Sequence, residues 1–291
     1  MVLFLVLLGA CWGPLALLVH RIGRSLGRPH TATAVALVVL YGLFVWLVRI
    51  WGRQVHGWPC PRRQLGLVGP WQTFGLRLVL SSILGLTGVL LLFGVELALG
   101  WATPSMPTMG PLRLVTEAAL VGGAYGFCEE LLFRGWLLAE LEVGSRPRLA
   151  LLANAAVFAL AHFIKPLSEV IRTLPQFVGL FVLGLALVWA RRAVIDRGHK
   201  PRGVSPSPAS LALPIGLHGG LVGSYYLFNV GNLVTYTGRV PEWVTGVDQN
   251  PLAGLLGVGL LSAIALIFAR HAQLTTHPTT PSPTTPSQRP R

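Results

Sequence analysis

CEELLFRGWLL, residues 128–138, sets two adjacent carboxylates and an arginine inside a run of leucine, phenylalanine and tryptophan. An ionised side chain placed in hydrocarbon costs roughly 2.5–3.5 kcal/mol on insertion scales, so such residues need solvation or a purpose. The rest of the chain decides between these. Of its 291 residues 53% are hydrophobic and 11% charged, against about 25% charged in an ordinary soluble domain. The chain therefore reads as a membrane protein. Apolar stretches near the roughly 20 residues that a helix needs to cross ~30 Å of hydrocarbon fall at about 1–20, 31–50, 76–100, 114–139, 149–165, 174–192, 208–230 and 252–270. The expected fold is all-α: a polytopic membrane protein of about eight transmembrane helices, with CEELLFRGWLL in the fourth.

The first stretch has no basic residue before its apolar run and is followed by Arg21, Arg24 and Arg28, which favours a retained helix over a cleaved signal. With eight spans, both termini and the even-numbered loops share one side. That side collects 13 basic residues, among them Arg62, Arg63, Arg146, Arg148, Arg191 and Arg192, and the other side seven. The positive-inside rule then places both termini in the cytoplasm. The net charge of +13 is scattered over span ends rather than gathered in one patch with interleaved aromatics, which argues against nucleic acid as a partner. Cys11, Cys60 and Cys128 are odd in number and lack CxxC spacing, so neither a disulfide framework nor a thiolate metal site is indicated. A single transmembrane domain is expected over 1–270, with an exposed loop at 196–210. Residues 271–291, rich in Pro, Thr and Ser, are expected to form a disordered tail. No internal repeat points to an inverted-repeat transporter.

Successive helical residues are ~100° apart, so Glu130 and Arg134, at i and i+4, lie on one face and can neutralise each other. Glu129 lies about 140° round from Arg134 and has no partner within its own helix. A desolvated carboxylate without a partner suits general acid–base work, which makes Glu129 the candidate for chemistry. Two histidines share its apolar context, His162 in FALAHF and His218 in PIGLHGGLVG. Singly, each is more often a packing residue. Phe158 and His162 are also i and i+4, so the aromatic ring can limit the imidazole's rotamers. Gly219, Gly220 and Gly223 permit close helix approach around His218. A carboxylate, a salt-bridged pair and two imidazoles from three spans form the kind of convergence by which catalytic sites are recognised.

These residues carry a resemblance. EELLFR at 129–134 matches EExxxR, FALAH at 158–162 matches FxxxH, and His218 opens a third motif, in the order seen in the CPBP family of CAAX prenyl proteases and bacteriocin-processing membrane proteins, also called Abi. The motif-bearing core is about 115–230. The resemblance implies an intramembrane glutamic endopeptidase with a membrane-embedded active-site cavity, in which Glu129 and His162 activate a water and Glu130 and Arg134 support them. In the family the third histidine is usually followed at i+4 by Asn or Asp, thought to bind the oxyanion together with it. Here Val222 stands at that position, with Ser224 and Asn229 the nearest polar candidates. A valine donates no hydrogen bond, and one lost oxyanion donor costs about 10²–10³ in rate.

Three functions compete. The first is peptide hydrolysis by Glu129, His162 and His218, with Glu130, Arg134 and Phe158 in support. The second is a non-catalytic relative that binds a peptide or protein partner, as an immunity protein or scaffold, and Val222 is its best support. The third is a zinc site of two Glu and two His. HExxH is absent and Glu130 is matched to Arg134, so no metal and no other cofactor is expected. The expected partners are the lipid bilayer and a peptide or protein substrate, membrane-associated or prenylated. Nothing in these residues encodes a preference for a prenyl group.

Overall fold

The structure, a computed structural model, describes residues 1–193 and 210–275. Most of the expected 196–210 loop and the tail from residue 276 onward lie outside the described residues. The helices are α1 (Val2–Ser25), α2 (Pro29–Gln54), α3 (Pro61–Gln64), α4 (Trp71–Ala98), α5 (Pro111–Glu130), α6 (Leu138–Gly144), α7 (Pro147–Ala161), α8 (Leu167–Thr173), α9 (Gln176–Arg192), α10 (Ala212–Asn229), α11 (Glu242–Thr245) and α12 (Leu255–Thr275). A π-helical segment, Leu131–Leu137, joins α5 to α6 without a break. Proline at the first turn starts α2, α3, α5 and α7, where its missing N–H leaves nothing unpaired.

Among the described residues each of the eight apolar stretches overlaps a helix, the fourth running through α5, the π segment and into α6. By length and composition α1, α2, α4 and Leu255–Ala272 of α12 suffice to cross a membrane, and a fifth span results if α8 and α9, bent by 75°, count as one. The protein is thus an all-α polytopic membrane protein. Leu3, Val6, Leu17, Leu91 and Leu120 stand exposed along these helices, as a lipid-facing surface requires. A short antiparallel pair, β1 (Ala102–Pro104) with β2 (Val234–Tyr236), departs from the purely helical expectation and sets Ala102 opposite Tyr236. It ties the link after α4 to the link after α10. Beneath it, the fully buried Glu96 accepts a hydrogen bond from Tyr236 Oη at 3.1 Å.

The third histidine rides on the most tightly gripped helix. A Cβ at Gly220 would sit 2.2 Å from the Ser82 carbonyl oxygen on α4, and one at Gly219 2.9 Å from the Gly122 oxygen on α5. The glycines therefore let α10 lie against both neighbours at backbone distance. The α1–α2 hairpin docks through aromatic packing: Phe4 stacks on Trp136 of the π segment at 4.4 Å and meets Phe44 edge-on at 6.0 Å.

One end of the bundle gathers the basic links. Arg191 donates to the carbonyls of Leu65 and Gln64 at 2.9 and 2.8 Å, and Arg192 to Glu142 at 2.7 Å. His56 lies 2.7 Å from Glu140 there, and so does the Met1 amino group, at 3.4 Å. These are the α2–α4, α6–α7 and post-α9 connections that the charge count assigned to one side.

Candidate active site

The fourth stretch does not stay α-helical where the motif lies. After Glu130 the backbone loosens by one residue per turn, and the Leu138 N–H reaches back to the Phe133 carbonyl, an i to i+5 bond. Nothing in LLFRGWL announces this, because π turns are set by tertiary demand rather than by residue type. Glu130 and Arg134 still meet, with Arg134 Nη1 donating to Glu130 Oε1 at 2.8 Å, and both are fully buried. Arg134 also donates to the Gly184 carbonyl at 3.3 Å. Gly184 faces the Ala155 backbone, 2.8 Å from where a Cβ would stand, which brings α9 close enough for that bond. The guanidinium lies over the Phe158 ring at 4.2 Å, within cation–π range.

Glu129 turns away from this pair and toward other helices. Its Oε2 is 3.9 Å from His162 Nε2 and 4.0 Å from His218 Nε2, and it has no hydrogen-bond partner within the protein. His162 caps the C-terminus of α7, where its Nδ1 meets the Phe158 carbonyl at 2.8 Å. That bond assigns the proton to Nδ1 and leaves Nε2 as the acceptor facing Glu129. The Phe158 ring lies 4.8 Å from the His162 ring and 5.9 Å from that of His218. His218 is joined to the supporting pair as well, with its Nδ1 2.8 Å from Glu130 Oε1. All six expected residues thus come together, with Glu130, Arg134 and His218 buried behind and Glu129 and His162, whose side chains are 20% and 34% exposed, in front. Among the described residues no group of three or more His, Cys, Asp and Glu is disposed to hold a metal ion.

Residues 111–223 match the model of a family described as type II CAAX prenyl endopeptidase Rce1-like. Over that segment the chain is similar to this CAAX protease family. Neither the curated proteins nor the solved structures gave a match. The matched segment opens with α5 and ends within α10, so it contains all six residues of the cluster.

Within the matched segment and just beyond it, the candidate replacements for the missing donor at position 222 fail. Ser224 donates within its own helix, to the carbonyls of Gly220 and, at 3.2 Å, Leu221. Asn229 is exposed at the end of α10, about 16 Å along the helix from His218. Val222 itself lines a cavity of about 120 Å³ together with His218, Leu221, Tyr225, Asn250 and Leu260. Asn250, its one side-chain amide, accepts from the Leu252 N–H at 3.0 Å. Sequence reading missed Asn250, since a loop 32 positions after His218 brings it there. It also missed Asn154, a fully buried amide on α7.

Proposed function

We propose that the protein is an intramembrane endopeptidase that crosses the membrane eight times, with both termini in the cytoplasm, and cleaves a peptide or protein substrate at the membrane by direct attack of water. One observation carries this reading: the Glu129 oxygen that lacks a partner stands 3.9 Å from the acceptor nitrogen of His162. That separation is too long for a hydrogen bond and suits one water bonded to both groups. Such a water gives a proton to Glu129 while its oxygen, oriented by His162, attacks the substrate carbonyl. His218, protonated at both nitrogens, donates Nδ1–H to Glu130 and turns Nε2–H toward the developing oxyanion. The imidazolium and the Arg134 guanidinium then balance the two carboxylates, which a low-dielectric interior favours. The proton held by Glu129 passes to the leaving amine, so no acyl-enzyme forms. Glu130, Arg134 and Phe158 hold the geometry.

The test is cleavage of a membrane-peptide library, with and without prenyl groups, by protein reconstituted in liposomes. Wild type should cleave and Glu129→Gln should not, with the same thermal stability. Equal cleavage by both proteins would reject the reading.

A second reading, a non-catalytic member that binds a peptide, is favoured by Val222 and by the largely apolar cavity it lines beside His218. In the same library, capture without cleavage by wild type would select it.

A further inference from the structure

Asn154, Phe158 and His162 are spaced by four along α7 and its C-cap and therefore share one face. Asn154 is fully buried, and its Nδ2 donates to the Phe133 carbonyl at 2.8 Å. Because a backbone oxygen accepts, the amide must present its nitrogen there, and Oδ1 is left without a protein partner. A half-satisfied buried amide is costly. The Phe133 carbonyl does not need this bond, since it already accepts the Leu138 N–H. A leucine at 154 would fill the space without leaving any polar group unpaired, so the amide is better explained by position than by stability.

The position it fixes is that of the two halves of the site. Phe133 sits in the π segment next to Arg134 and four residues after Glu129. Asn154 lies eight residues, or about 12 Å of helix, before His162. Phe133 also meets Phe158 edge-on at 5.1 Å, but ring contacts slide, and a directional hydrogen bond does not. We propose that Asn154 is a positioning residue that locks α7 against the π segment and thereby sets the gap between Glu129 and His162. This rests on the reading of those two residues as the water-activating pair, and it gives the π segment a purpose: the segment turns the Phe133 carbonyl to where α7 can grip it.

The test uses the full-length protein in lipid and a readout independent of turnover, the carbon–nitrogen dipolar coupling between a labelled Glu129 carboxyl and the His162 ring in solid-state spectra. In Asn154→Leu the coupling should weaken or vanish while the melting temperature is unchanged. On any peptide that wild type cleaves, kcat should fall roughly tenfold or more with KM unaltered. Asn154→Asp, of the same shape, keeps a donor toward Phe133 while its buried carboxyl is protonated and should retain the coupling; it serves as the second variant if Asn154→Leu folds poorly. An unchanged coupling in folded Asn154→Leu, or a coupling lost equally in Asn154→Asp with that carboxyl protonated, would overturn the proposal. A weakened coupling in a protein whose wild type cleaves nothing would support the positioning role and reject the peptidase reading.

Discussion

His218 Nδ1 and Glu130 Oε1 lie 2.8 Å apart although 88 positions separate them in the chain. This contact joins the third motif to the supporting pair of the first. Glu130 Oε1 thereby takes bonds from both Arg134 and His218, and the imidazole that faces Glu129 is held by the acid that does not.

The two acids should separate cleanly on mutation. Glu130→Ala leaves the fully buried Arg134 without its carboxylate, and Arg134→Ala leaves Glu130 with His218 alone; breaking a buried pair costs about 3–5 kcal/mol, so folded yield and melting temperature should fall together. Replacing both, Glu130→Gln with Arg134→Met, should recover part of that loss. Glu129→Gln should melt like wild type. Thermal unfolding in detergent, followed by circular dichroism, checks all four; equal destabilisation by Glu129→Gln would remove the distinction between the acids.

Helix contact through glycine should be as sensitive as the charge pair. Gly220→Ala forces a methyl against the Ser82 carbonyl of α4, and overpacking of this kind costs about 1–3 kcal/mol. Gly9→Ala, where nothing lies within 4 Å, should be neutral. Melting temperatures of the two variants, measured side by side, decide it.

The six-residue cluster was largely legible in the sequence, for a local reason. Glu130 with Arg134 and Phe158 with His162 are spaced at one helical turn, and the glycines after His218 signal close packing whatever the partner. The π segment was not legible, because backbone hydrogen-bond register answers to the surroundings rather than to LLFRGWL. Long-range partners were hidden too: Glu130 with His218, Asn154 with Phe133, and the placement of Asn250 beside Val222 all depend on how helices far apart in sequence come to rest. Ser224 is a nearby hydroxyl by its place in the chain, but it turns back on its own helix.

Outside the spans, Arg172 bonds both Glu169 and Asp248, which fastens α8 to the segment before α12. Arg172 holds the Glu169 carboxyl below the usual carboxylate range, chiefly through its hydrogen bond. A lowered folded-state value means that the contribution is present above the unfolded carboxylate range near pH 4–5 and fades as pH falls through the folded value. The protection of the 167–173 amides, the factor by which their exchange is slowed relative to the intrinsic rate at the same pH, should therefore fall on acidification in wild type. In Arg172→Ala that protection should already be low at neutral pH, with little change in global melting, because exposed pairs contribute little to stability. A protection that does not respond to pH in wild type would contradict this.

Direct water attack by Glu129 and His162 is most sharply tested by single-turnover cleavage in heavy-oxygen water containing hydroxylamine, with products read by mass spectrometry. The account predicts a free carboxylate bearing one heavy oxygen, no hydroxamate, and no product from Glu129→Gln. A hydroxamate, which requires an acyl-enzyme, or a new carboxylate that carries no label in the first turnover, would contradict it.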